Sequence, residues 1–101
     1  MLVHTLTFTP PEGKTLVTLL EWVATLPADQ QAAFNPAQAK QHEIEVNNLA
    51  SGTFVGHEPG KVKWNDNAGE AAYHVDPDWR VFFERYLAET GTKFDMVVTK
   101  E

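Results

Sequence analysis

The chain contains no cysteine. That absence removes disulfides, zinc–thiolate sites, iron–sulfur clusters and thiol nucleophiles together. It also fits a reducing cytoplasm, the expected location. Arginine is nearly as scarce: Arg80 and Arg85 are the only two, and 8 basic residues stand against 14 acidic ones for a net charge of -6. Nucleic-acid binders concentrate basic residues on one face. The nearest approach here is Lys61 and Lys63 beside Trp64, so no nucleic-acid partner is expected, and a charged partner would be basic. No apolar run approaches the roughly 18 residues of a membrane span. Met1 to Pro10 also lacks the basic start and apolar segment of a signal peptide. No membrane partner is expected.

Reaction chemistry is thin as well. The one serine, Ser51, lies in Leu49-Ala-Ser-Gly52, outside the Gly-x-Ser-x-Gly pattern of a nucleophile elbow. Gly52, Gly56 and Gly60 are evenly spaced but lack the Lys-Ser/Thr or Gly-x-Gly core of a phosphate loop. No two of the four histidines, His4, His42, His57 and His74, have the His-x-x-x-His spacing that places two imidazoles on one helical face. His42 and Glu45 could share a face of a helix, a pairing common by chance, and His57 falls beside the turn Pro59-Gly60. No catalytic residues, metal ligands or cofactors are expected.

What the chain does have is an ordinary globular balance. A hydrophobic fraction of 43% and a charged fraction of 22% over 101 residues suit a single α+β domain spanning residues 1–101. Leu2, Leu6 and Phe8 alternate with threonines and Val3, the period of a β-strand that Pro10-Pro11 stops. From about Thr15, Leu16, Leu19, Leu20, Val23 and Leu26 recur at helical spacing as far as Pro27. Ala28 to Phe34 reads as a short helical turn closed by Asn35-Pro36. The segment 36–50 then supports two readings: an Ala- and Gln-rich helix capped by Asn35, or a strand suggested by the alternation in His42-Glu-Ile-Glu-Val46.

Beyond Thr53 come three short β-favouring runs, Thr53 to His57, Lys61 to Asn65 and Ala71 to Val75, parted by turn residues. Asp76-Pro77-Asp78 then opens a helix with an N-cap, a proline at the first position and an acid at the positive end of the dipole. Trp79, Phe82, Phe83, Tyr86 and Leu87 form its apolar stripe, Gly91 ends it, and Phe94 to Thr99 is a final strand. The order β-α-(α)-β-β-α-β suits a small mixed or antiparallel sheet with helices on one face, as in a ferredoxin-like split βαβ arrangement.

Four side chains stand out. His4 shares a strand face with Leu2, Leu6 and Phe8, which places it in the core layer near Tyr73 or Phe94. A buried imidazole there needs a hydrogen-bond partner or a cavity to line, since an unpaired one costs about 1–3 kcal/mol. His4 and Tyr73 are thus the ligand-pocket candidates. Trp22 stands off the first helical stripe and Trp64 sits between Lys63 and Asn65. Aromatic rings on polar surface anchor partners, so these two are the partner-contact candidates. The opposite sheet face, with Thr5, Thr7, Lys61, Lys63, His74, Asp95, Val97 and Thr99, reads as mixed and threonine-rich. The leading expectation is a non-enzymatic binding or accessory protein acting through a protein–protein surface or self-association as a homodimer. The alternative is a small ligand-binding protein, or a cofactor-free enzyme of dimeric α/β-barrel type, that uses the cleft between sheet and helices.

Overall fold

A computed structural model describes every residue from Met1 to Glu101. The elements run β1 (Leu2–Thr9), α1 (Leu19–Val23), α2 (Ala28–Ala50), β2 (Phe54–Glu58), β3 (Lys61–Trp64), a 3-10 turn (Gly69–Tyr73), α3 (Pro77–Thr90) and β4 (Lys93–Lys100). One four-stranded sheet is ordered β2-β3-β1-β4, and every neighbouring pair is antiparallel. β1 and β2 are therefore parallel with β3 between them, and β3 and β4 are parallel with β1 between them. This is the split βαβ order.

Period-two alternation sorts the sheet's side chains. His4 is paired with Val62 on one side and Val98 on the other, Leu6 with Met96, and Phe8 with Phe94. Cross-strand partners share a face, so these residues turn toward the helices together. The opposite face carries Thr5, Thr7, Lys61, Lys63, Asp95, Val97 and Thr99. His74 was grouped with them but lies beyond the 3-10 turn, on the helical side.

Three element assignments need correction. The helix expected from Thr15 is a single turn, Leu19–Val23, because Thr18 caps it by accepting a hydrogen bond from the Glu21 N–H (3.2 Å). The break expected at Asn35-Pro36 does not occur: α2 runs unbroken through Pro36, and the open question over residues 36–50 resolves as helix. Proline inside a helix forfeits one backbone bond and crowds the preceding turn, and the flanking alanines and glutamines are good helix formers. Burial of Phe34 and Ala37 and half-burial of Gln41, Ile44 and Asn48, at spacings of three and four, override the local alternation of His42–Val46. Finally, Ala71–Val75 is no strand. Its first residues close a 3-10 turn whose Ala72 packs on the Phe54–Trp64–Ala68 cluster.

α3 forms as its sequence dictates. Asp76 Oδ2 accepts from the N–H groups of Asp78 (3.1 Å) and Trp79 (3.0 Å), and Gly91 ends the helix at φ 69. Glutamines on α2 hold α3 alongside. Gln30 accepts from Arg85 Nη2 (3.1 Å), Gln38 from Trp79 Nε1 (3.0 Å), and Gln41 from the Asp76 N–H (2.7 Å).

The core is divided. One cluster gathers Trp22, Val23, Phe34 and Tyr86 between α1, α2 and α3, with Phe8, Phe82 and Phe83 against it. The second gathers Phe54, Trp64 and Ala68 at the β2–β3 end. His4 lies on the sheet floor, its ring 6.3 Å from Trp64 of the second cluster.

Candidate ligand-binding cleft

A cavity of about 540 Å³ opens above the sheet, bounded by α2, the 72–75 segment and α3. Its floor is the helix-facing row of the sheet, with His4, Leu6, Phe8, Val62 and Met96. Ile44 closes it from α2, and Phe83 and Leu87 from α3. Polar groups sit on these helices as well: Gln41, Glu45 and Asn48 from α2, Arg80 and Glu84 from α3. The spacing Gln41, Ile44, Glu45, Asn48 is one face of a helix. A shallower depression of about 710 Å³ adjoins it and shares Ile44, Asn48, Tyr73 and His74.

The floor holds the unusual chemistry. His4 is 2% exposed and its Nε2 has no hydrogen-bond partner in the protein; Trp64 is 8% exposed and its Nε1 has none either. Most buried polar groups in proteins are paired, and two unpaired nitrogens on neighbouring rings at one cavity are a specific arrangement. Burial pushes the His4 imidazole below its ordinary value of 6.5, because a charged ring is poorly solvated there. At neutral pH it is therefore uncharged, with one nitrogen donating and one accepting. Trp64 Nε1 can only donate. His4 Nε2 has no carboxylate or hydroxyl partner, so it lacks the oriented pairing that activates a nucleophile.

The sequence candidates separate into two groups. His4 and Tyr73 do come together, with ring centroids 5.1 Å apart, and both line the cleft. Tyr73, 54% exposed, forms its lip. Trp22 and Trp64 do not present the exposed rings expected of partner contacts. Trp22 is 5% exposed, packed on Tyr86 with the Arg85 guanidinium 5.3 Å from its ring centroid. Trp64 packs at a tilt of 59° against Phe54, ring centroids 5.1 Å apart. Its burial follows from the alternation Lys61-Val62-Lys63-Trp64, which puts both lysines outside and Val62 and Trp64 inside. The cleft residues on α2 and α3 were not singled out by sequence. For α2 the signal was the spacing of Gln41, Ile44 and Asn48.

No group of three or more His, Asp or Glu side chains is placed to hold a metal ion, and no helix is long and apolar enough to cross a membrane. Comparison with known protein families, with characterised proteins and with solved structures finds no match to this chain.

Proposed function

We propose that this protein binds a small, uncharged, largely apolar molecule in the cleft between sheet and helices, through an oxygen that accepts the Trp64 Nε1–H beside neutral His4. The observation that carries this reading is the pair of buried, unpartnered nitrogens on the cleft floor. Small-molecule sites are typically apolar concavities of roughly 300–1,000 Å³ with a few polar groups that fix orientation. A cavity of about 540 Å³ floored by aliphatic and aromatic side chains, with two unpartnered ring nitrogens among its lining residues, has that composition. A neutral ligand suits the floor, whose own side chains carry no charge at neutral pH, since an ion pressed against it would lose its hydration; Glu45, Arg80 and Glu84 stand on the helices above.

The test uses two probes of similar shape. 1-Indanone carries a carbonyl oxygen; indane is the same bicycle without it. In ¹⁵N-labelled protein, indanone should move the indole N–H resonance of Trp64 and saturate, and indane should bind more weakly. Trp64→Phe keeps a ring against Phe54 and removes the donor, so indanone should bind about tenfold more weakly, the worth of one hydrogen bond of about 1.4 kcal/mol. Indanone that leaves the Trp64 and His4 resonances unmoved, or binds Trp64→Phe equally well, sinks the reading.

A further inference from the structure

We infer that the chain pairs with a second copy of itself through β4, joining two four-stranded sheets into one of eight strands around a two-fold axis. The argument starts at the edges of the sheet. An exposed edge strand is a template for another strand, and proteins usually guard it with bulges, short length or proline. β2, at one edge, has five residues, and its register is broken between Phe54 and Gly56. β4, at the other edge, has eight residues paired to β1 without a break, contains no proline, and is exposed at every position. One edge is guarded by its short, irregular register; the other is long and regular, and its charges, Lys93, Asp95 and Lys100, leave Phe94, Met96, Val97 and Val98 uncovered.

The backbone of β4 is set for such a pairing. At the end of the β1–β4 ladder the Glu101 N–H donates to the Met1 carbonyl (2.8 Å), and the Met1 amino group donates to the Glu101 carbonyl (3.1 Å). Bonded and unbonded pairs alternate along an antiparallel ladder. The odd positions of β4 therefore bond to β1, and the N–H and C=O groups of Phe94, Met96, Val98 and Lys100 point off the edge.

Those same positions carry the apolar side chains. Phe94, Met96 and Val98 turn toward the helical side of the sheet, yet remain 38%, 36% and 39% exposed. A two-fold axis through Met96 sets Met96 against its own copy and Phe94 against the partner's Val98, so each apolar residue on the helical side meets another. On the opposite face Asp95 meets the partner's Val97 and Lys93 the partner's Thr99, which avoids like charges directly opposed. Shifting the axis to Val97 would set Phe94 against Lys100. With the axis at Met96 the pattern is self-complementary, as an isologous interface requires.

Surface area points the same way. The chain exposes 6614 Å², against about 5,700 Å² for a folded monomer of its mass. The excess of roughly 900 Å² is close to the roughly 800 Å² that one partner contributes to a standard interface. Phe94 and Met96 also line the cleft, so the partner's strand would wall its open side.

Native mass spectrometry and light scattering on the full chain test this over roughly a hundredfold range of concentration. The expected species is about 22.6 kDa, twice the 11.3 kDa chain. Met96→Pro removes an N–H that points away from β1, a position where an edge strand accepts proline. Val98→Lys places a charge against the partner's Phe94. Both variants should shift the chain to monomer. Amide exchange on the unmodified protein gives a readout that needs no variant. In the dimer Phe94, Met96 and Val98 are protected alongside Asp95 and Val97; in a monomer only the odd positions are. A monomer throughout the range, alternating protection along β4, or a dimer that survives both substitutions overturns the inference. A β4 protected only when a different protein is added also overturns it, in favour of an unrelated strand. None of these outcomes depends on indanone binding, so the two readings fail separately.

Discussion

His4 is the residue at which fold and site meet. Its place in the sequence, two residues from Leu2 and two from Leu6, is enough to put it on the helix-facing side of β1. Its neighbours there are Trp64 and Tyr73, with Glu45, His74, Arg80 and Glu84 also bounding the cleft. Because burial lowers its pKa, the sign of the pH effect is fixed. Above about pH 6.5 the imidazole is neutral in the folded and the unfolded chain alike, and its contribution is complete. As pH falls below that, the unfolded chain takes up a proton that the folded chain refuses, so stability declines until the lowered folded value is reached. His4→Phe removes both this titration and an unpaired nitrogen. Urea midpoints should show the variant as stable as the parent at about pH 7, and less weakened on going to about pH 5.5. Parallel pH curves for the two proteins would show that His4 is not the group responsible. The tryptophans teach the converse lesson. For Trp64 the alternation with Val62 was a stronger signal than the polar neighbours Lys63 and Asn65. Trp22 was displaced in sequence reasoning because the helix that carries it begins only at Leu19, which turns Trp22 and Val23 inward together.

At the scale of elements, α3 was legible to the residue because Asp76, Pro77 and Gly91 each satisfy a specific need at a helix end. α2 was not. Its apolar stripe is sparse, since half of what it covers is a cleft, and its contacts with α3 run through glutamine side chains that no hydrophobic pattern reveals. Its continuity across Pro36 depends on tertiary packing by Phe34 and Ala37 on either side. Pro36→Ala restores a backbone donor and should stabilise the protein by about 1–2 kcal/mol, the interior-proline cost less the greater freedom of the unfolded chain. A lower urea midpoint for this variant would mean that the proline sets a bend the packing needs. Within α3 the largest cost belongs to Tyr86, the most deeply buried ring, whose hydroxyl donates to the Val17 carbonyl. Tyr86→Ala should cost about 3–5 kcal/mol, and Phe82→Ala or Phe83→Ala less, because those rings are only half buried. The reverse ranking in thermal melts would contradict the packing of α3. At the other end of the helix, the left-handed φ of 69 at Gly91 stops it, and a Cβ there would stand 3.0 Å from Pro11 Cγ, which explains why the position is glycine.

The whole molecule is a slab of 39 × 32 × 18 Å. The helices lie on one face of its sheet, and its apolar side chains form two clusters beside a cleft. On the proposed reading the domain gives up core volume for a site, and that makes a test. Ala72 packs on the Phe54–Trp64–Ala68 cluster and also lines the cleft. Ala72→Leu would place three further carbons into that space, where added apolar burial stabilises by a fraction of the roughly 0.8 kcal/mol per methylene of full transfer. The variant should gain about 0.5–2 kcal/mol of stability, in the range of cavity-filling changes, while losing function that needs the space. Its affinity for 1-indanone should fall at least tenfold. The two changes have opposite signs in one protein, which general damage to the fold cannot produce. A destabilised Ala72→Leu would mean the cleft has no room for the side chain. A stabilised one that still bound indanone normally would place the ligand outside the cleft, and with it the role assigned to His4 and Trp64.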